Sequence, residues 1–379
     1  MKSIDLQICT NCVMDSSDPK ISFDDEGVCD HCNTFYEKTY PHWKQLQSDP
    51  TKLDNLVKKI KKSKGKNDFD CIIGMSGGVD SSYLTHYAVK ELKLNPLVFH
   101  VDAGWNSKIA VNNIEKIVDG LDLDLFTEVI DWEEMRDIQL SFFKSGVPHI
   151  DSPQDHCFFA VMYKFASQYN VKYILTGGNL STECIRNPID WMYFQSDSRQ
   201  LKDIQNKFGS KNIKNFPLTS ILWHKIFLPY IRGIKAIRPL DYIDYQKQEA
   251  IEILEDKYGW QRYPQKHFES RFTKFYESYW LPERFGYDTR KVQFSSLILT
   301  GQLSREEALN QLKLPSFDEA TIQHDIEFIA NKLNISTDEL NQYLIMPMRT
   351  YKDYKSQDLL YTIGSTLMKR LGLEVGGKR

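Results

Sequence analysis

Ser76-Gly77-Gly78-Val79-Asp80-Ser81-Ser82 puts three hydroxyls, one carboxylate and a glycine pair into seven residues, directly after an apolar run at 71–75. An apolar run ending in a Gly-rich turn reads as a buried strand followed by the start of a helix. Gly77 and Gly78 open backbone conformations closed to other residues and let a ligand come close to the chain. A helix N-terminus there aims free N–H groups and a positive dipole end at an anion. With Met75 and Val79 as flanks and Ser76, Ser81 and Ser82 as added donors, the segment makes a pyrophosphate cradle. No lysine follows Gly78, so this is not a loop of the Gly-Lys-Ser/Thr type. Asp80 beside phosphates makes chemical sense as a ligand of Mg²⁺. The plain alternative is an ordinary Gly-rich strand–helix turn.

A second set lies earlier. Cys9-x-x-Cys12 and Cys29-x-x-Cys32 stand 16 residues apart. Two such knuckles satisfy a tetrahedral Zn²⁺, and four thiolates leave no open position, so the ion would be structural. His31 lies inside the second knuckle and could compete as a ligand, but four cysteines already close the shell. A redox-active pair is the alternative. Residues 1–45 lack apolar periodicity, and a metal would supply the folding energy they are short of. Cys71, Cys157 and Cys184 read as small buried hydrophobes.

These residues need elements to hold them. Apolar runs at 71–75, 96–101, 123–130 and 173–175 read as buried strands. Helical stretches at 82–91, 107–121, 131–144 and 155–169 alternate with them, with Ser107, and Asp131 with Glu134, as N-caps. The alternation predicts an α/β fold with a parallel sheet covered on both faces. A basic helix at 51–66 links the cysteine module to it. Residues 216–231 read as a core helix, with a partner surface as the alternative. Beyond 241 the pattern is helical, with capping boxes at Ser304/Glu307, Ser316/Glu319 and Ser336/Glu339. Three parts are therefore expected: a zinc module at 1–45, a nucleotide domain at 46–240 and a helical domain at 241–379. The tail at 376–379 is expected to fray. No stretch is apolar enough for a membrane span. The 48 basic against 51 acidic residues, net charge -3, argue against a dedicated nucleic-acid binder. The polar, early-cysteine start is unlike a secretory signal, so a cytoplasmic protein is expected.

SGGVDSS resembles the signature of the PP-loop ATP pyrophosphatases, which include GMP, asparagine, NAD and argininosuccinate synthetases and tRNA-thiolating enzymes. The resemblance implies ATP as cosubstrate, adenylation of an oxygen with release of pyrophosphate, and displacement of AMP by a nucleophile. It also implies nucleotide contacts at His100, Val101 and Asp102 in HVDAG, and at Gly177 and Gly178 in TGGN. Each of these is otherwise a plain strand-ending turn.

Together, the knuckles, the loop and stretches such as CTNCVMDSSDP, FDDEGVCDHC, FHVDAGWNS and FGYDTRK resemble the N-acetyl sugar amidotransferase family of bacterial surface-polysaccharide assembly. That resemblance implies a nucleotide-linked N-acetyl sugar as substrate, its acetamido group becoming acetamidino in lipopolysaccharide or O-antigen biosynthesis. The chain opens Met1-Lys2-Ser3, without the N-terminal cysteine of one glutaminase type, and has no length for another. Ammonia is therefore expected from a partner glutaminase with a cyclase-like channel subunit, similar to the imidazole glycerol phosphate synthase pair. Segment 216–231 is one possible docking surface. In YPQKHFESRFTKFYESYW, Lys266 and Arg271 are candidate catalytic clamps on the leaving pyrophosphate. Arg186 is a weaker candidate for a substrate anion. Surface cations are the bland reading of all three. The rivals are a thiolating enzyme, using Cys157 and Cys184 as its sulfur pair, and a non-catalytic zinc-ribbon adaptor that uses nucleotide as a switch.

Overall fold

A computed structural model describes residues 6–370, so Met1–Ser3 and the tail at 376–379 lie outside the described residues. Five parallel strands form the sheet: β1 (Cys71–Gly74), β2 (Pro96–Asp102), β3 (Leu125–Val129), β4 (Tyr173–Leu175) and β5 (Lys235–Ile237). Their order is β3-β2-β1-β4-β5. The chain winds outward from β1 to β3, then returns to the other side of β1. Strand order thus reverses between β1 and β4, and the crevice at their carboxyl ends is the usual ligand site of such sheets. The turns after β1 and β4 are those singled out above, Ser76–Ser82 and Thr176–Asn179.

Alternation along β1 divides the core. Ile72 faces a cluster with Leu97, Phe99, Ile138, Phe142 and Val161. Cys71 and Ile73 face the other way, onto Leu84, Ala88, Ile114 and Leu254. Phe272, Phe275, Trp280, Ile329 and Leu333, all beyond 241, belong to the same cluster as Ile72. The C-terminal helices are therefore continuous with the core of the sheet.

The four expected strands stand where the apolar runs placed them, but β3, at the sheet edge, is a correction to the buried reading, since none of its five residues is buried and Val129 is exposed. β5 was not expected: it is three residues long, with Lys235 and Ala236 exposed. A short edge strand with a lysine carries no apolar signal, and those traits discourage unwanted strand pairing. Ser107 caps the helix Lys108–Leu121 through Ala110 N, and Asp131 caps Trp132–Ser145 through Glu133 N and Glu134 N. Glu134 does not reach back. Its carboxylate accepts from the N–H groups of Lys214, Asn215 and Phe216. Ser304 forms the full capping box, and Ser336 caps through Glu339 N. Ser316 is a correction, because its hydroxyl donates to Ser278 O while Asp318 caps the helix Glu319–Leu333.

Segment 216–231 is a second correction. Phe216, Ile221 and Leu228 are buried, but Leu222, Trp223, Ile226, Tyr230 and Ile231 are exposed. Trp223–Ile231 is a π-helix with Pro229 inside it, largely exposed rather than a core helix.

Trp280, 1% exposed and edge-on to Phe143 at 4.7 Å, joins the C-terminal helices to the sheet core. Trp280→Ala should lower stability by about 3–5 kcal/mol. Urea unfolding followed by fluorescence and far-ultraviolet dichroism should shift as one transition, since the two parts share a core.

Candidate functional site at the strand switch point

The loop after β1 is pinned before any ligand arrives. Gly77 has φ +85, and a Cβ there would lie 2.6 Å from Ala110 O. Its carbonyl accepts from Trp260 Nε1 at 3.0 Å and the Tyr263 hydroxyl at 3.2 Å. Ser76 and Ser81 share a hydroxyl contact of 3.1 Å, and Ser76 Oγ accepts from Gly78 N. The helix Val79–Lys90 starts here, and the N–H groups of its first turn have no intrahelical acceptors. Ser82 is fully buried and its Oγ is unpartnered among the described residues. These features fit a phosphate group.

Asp80 is the hub. Its Oδ1 accepts from the Tyr245 hydroxyl at 2.8 Å and from Asn179 Nδ2 at 3.2 Å. Its Oδ2 lies 3.6 Å from Lys266 Nζ, which donates to Glu183 at 2.5 Å. Burial alone would lower the Lys266 ammonium, but Glu183 and Asp80 outweigh it and push it above its ordinary value. Burial likewise opposes ionisation of Glu183, and Lys266 outweighs it and holds that carboxyl down. The turn after β4 packs directly on this helix: a Cβ on Gly177 would lie 2.9 Å from Asp80 C and Ser81 N. Gly178 stands beside Glu183 and Arg238. One carboxylate at a phosphate cradle suits Mg²⁺, which takes few protein ligands and completes its shell with phosphates and water.

Lys266 reaches Asp80 because of its neighbours in the chain. His267 has φ +65, a left-handed conformation uncommon outside glycine. Beyond it, Ser107 N donates to Glu269 O and Arg271 N donates to Trp105 O, each at 2.8 Å. This tie to the turn after β2 leans the Glu269 side chain on Gly78, and burial raises its carboxyl. His267 bonds Glu277 at 2.9 Å.

The other expected residues sit apart from this hub. His100 donates from Nδ1 to Met75 O and accepts at Nε2 from Asn106 Nδ2, each at 2.8 Å. Burial lowers its pKa, and both ring nitrogens are engaged. Val101 is buried in the strand. Asp102 Oδ1 accepts from Gly104 N at 2.8 Å, closing the turn. Arg271 pairs with Asp325 at 3.1 Å and lies 3.4 Å over the Phe328 ring. Arg186 is exposed. Glu183, Arg238, Tyr245, Lys247 and Glu269 were not singled out by sequence. Lys247 is half-buried, pulled down by burial, with Asp80 the foremost charge opposing that. Only the TGGN motif hinted at this group, through Glu183 four residues on.

The four cysteines meet. Sγ–Sγ distances are 3.8 Å for Cys9–Cys32, 3.7 Å for Cys12–Cys29 and 3.6 Å for Cys29–Cys32. Sulfurs at about 2.3 Å from one tetrahedral ion would stand about 3.8 Å apart. Backbone N–H groups of Asn11, Cys12 and Cys29 point at Cys9 Sγ. Hydrogen bonds from Cys12, Cys29 and Cys32 draw the Cys9 thiol below its ordinary value. The set fits a metal ion. His31 is no competitor, because its Nε2 bonds Asp18 at 2.9 Å. The module is keyed to the rest: Arg305 donates to Cys9 O and Cys12 O, and Val13 N donates to Ser295 Oγ. Cys157 and Cys184 are not a pair. They lie in different apolar clusters, donate to Gln154 O and Ser296 O, and burial raises both, Cys184 to about 12.

The strand order, the switch point and the loop define a parallel-sheet α/β fold with a four-cysteine centre and a helical C-terminal region. Within that region, residues 269–368 match the family described as "LPS biosynthesis protein WbpG-like, C-terminal domain". An uncharacterised protein of Methanocaldococcus jannaschii is 22% identical over 318 residues, covering 81% of this chain and 93% of the relative. Among solved structures, NMN synthetase from Francisella tularensis is similar at 19% identity and TM-score 0.28, covering 56% of this chain and 87% of its own. The NH3-dependent NAD synthetase of Campylobacter jejuni is similar at 12% and 0.32, covering 81% and 98%. The U34-tRNA thiolase of Methanococcus maripaludis, with its [4Fe-4S] cluster, is similar at 12% and 0.31, covering 69% and 78%.

Two outcomes are expected. Purified protein should carry one metal ion per chain, and Cys12→Ser should lose it and melt at lower temperature, as read by elemental analysis and calorimetry. For His267, burial alone would lower the imidazole, but Glu277 outweighs it and pushes it from its ordinary 6.5 up to about 9. The pair's stabilisation is therefore complete below pH 6.5 and fades as pH rises through about 9. The stability gap between wild type and His267→Gln should shrink across that window in urea titrations.

Proposed function

We propose that this protein is an ATP-dependent, AMP-forming amidotransferase. It adenylates the acetamido oxygen of a nucleotide-linked N-acetyl sugar and replaces that oxygen with ammonia, giving an acetamidino sugar for lipopolysaccharide or O-antigen biosynthesis. The observation that carries the reading is the contact of Lys266 with Asp80. It joins the phosphate loop to the segment that opens the WbpG-like domain.

Amide carbonyls resist ammonia because their oxygen is a poor leaving group, whereas AMP leaves readily. The loop would seat the β- and γ-phosphates, and Asp80 would hold the Mg²⁺ that neutralises them. Lys266 stands ready to take up charge on pyrophosphate as it departs, with Glu183 keeping it in place. The four-cysteine set would hold a structural Zn²⁺. Sulfurs all within 4.8 Å of one another suit a single ion better than a four-iron cluster, which spreads its cysteines over separate irons. The reaction belongs in the cytoplasm, where nucleotide sugars and ATP are made. Ammonia would come from a partner glutaminase through a cyclase-like channel subunit. The exposed Leu222, Trp223, Ile226 and Tyr230 support docking of such a partner.

The test incubates the protein with ATP, Mg²⁺, ammonium chloride and UDP- or CMP-linked N-acetyl sugars, then measures mass. AMP, pyrophosphate and a sugar with NH in place of O are expected. Sulfur on RNA, or no AMP with any sugar, would sink the reading. Lys266→Met should cut AMP formation by about a hundredfold or more, with a melting curve run alongside because Asp80 and Glu183 lose their cation.

A further inference from the structure

From 204 to 240 the chain has no Asp or Glu but seven Lys or Arg, in a protein whose net charge is -3. Lys207 and Lys211 pair with Asp203 and Glu133. Lys214, Arg232 and Lys235 are exposed and make no ion pair among the described residues. Two of these stand together with a further lysine: Lys172 Nζ donates to Arg232 O at 3.1 Å, and Lys235 N donates to Lys172 O at 2.8 Å.

The same stretch carries an apolar ridge. Ile221 and Leu228 are buried and fasten the π-helix Trp223–Ile231 to the body. Leu222, Ile226, Tyr230 and Ile231 point away, 54%, 52%, 67% and 68% exposed. They recur every four to five positions, about one turn of a π-helix, so they share one side. Trp223, also exposed, stacks on Phe227 at 4.2 Å. Single exposed apolar residues are ordinary, but a contiguous set marks a surface that meets something. The cations border it, because Arg232 follows Ile231 and its N–H donates to Phe227 O at 3.1 Å.

We propose that this face rests on an anionic lipid surface. Leu222, Ile226 and Ile231 enter the acyl boundary, Trp223 and Tyr230 sit at headgroup level, and Lys172, Arg232 and Lys235 meet the lipid phosphates. Among the described residues no helix is long and apolar enough to cross a bilayer, so the contact is with its surface. A nucleic acid would ask for stacking platforms, and three of the five ridge side chains are aliphatic. The border carries one sign of charge, which an anionic surface matches without a specific fit. Four of these side chains also support partner docking in the proposed function, so lipid and a protein partner would compete for one face. Nothing in this face depends on the amidotransferase chemistry.

The test sediments the full-length protein with sucrose-loaded vesicles. One set is phosphatidylcholine, and the other contains about one third phosphatidylglycerol, an anionic surface. Saturable binding to the second set alone is expected. It should weaken by about tenfold or more between about 0.1 M and about 1 M salt, as the screening length falls from about 10 Å to about 3 Å. Arg232→Gln with Lys235→Gln should weaken it by about tenfold or more, and Ile226→Ser with Ile231→Ser likewise. Lys59→Gln with Lys62→Gln removes the same charge from exposed lysines of the helix Pro50–Lys64 and should leave binding unchanged. Equal binding to both sets, binding to neither, or loss through Lys59 and Lys62 but not through the ridge overturns the proposal and leaves a protein partner as the occupant. All the changed side chains are exposed, and a melting curve checks that each variant keeps the fold. AMP formation, assayed without vesicles, reports on the amidotransferase reading separately.

Discussion

The crevice is arranged around the Asp80 carboxylate. It faces Lys266, accepts from Tyr245 and Asn179, and sits at the mouth of a phosphate cradle. A half-buried acid of this kind is held best when neighbours satisfy it, because leaving one partner unpaired is costly. Those neighbours come from three places in the chain: the turn after β4, the residues just before the helix Lys247–Tyr258 and the segment at 266. Segments far apart in sequence converge because each supplies something the carboxylate needs. That convergence, together with the shared apolar core, makes the C-terminal region part of the crevice.

The cysteine centre plays a parallel part at the other edge. Its backbone carbonyls are held by Arg305, and Lys291 pairs with Asp15. A metal that orders the knuckles would therefore also order the helices Arg290–Leu299 and Arg305–Leu312, and through them the crevice. This is how a closed, non-catalytic ion can matter to a site it never touches.

Much of the architecture was legible in the sequence. The apolar runs of β1 and β2 are strong signals because strands buried on both faces are apolar throughout. The loop and the knuckles were legible because their chemistry demands particular residues at particular spacings. β5 was not, since three residues, two of them exposed, bear no pattern. Ser316 misled because a capping box is a local motif, and Asp318 competed for the same helix end. Glu183, Tyr245 and Lys247 were invisible for a different reason. Each occupies an ordinary amphipathic stretch, and only the tertiary fold turns it toward Asp80. Arg271 shows the converse: it lies five residues from Lys266, yet the helix Arg271–Phe275 carries it to Asp325.

The grip of Trp260 and Tyr263 on the Gly77 carbonyl has a consequence for binding energetics. A glycine-rich loop free in solution would lose much backbone entropy on closing around a phosphate. Here that loss falls in folding, because two aromatic donors already hold the carbonyl. Under the proposed function, binding energy from a nucleotide would then not be drained into ordering the cradle, and more of it would remain for distorting the bond that must break. A rigid receptor of this sort also changes shape little on occupancy, so its ligands meet a lock already cut.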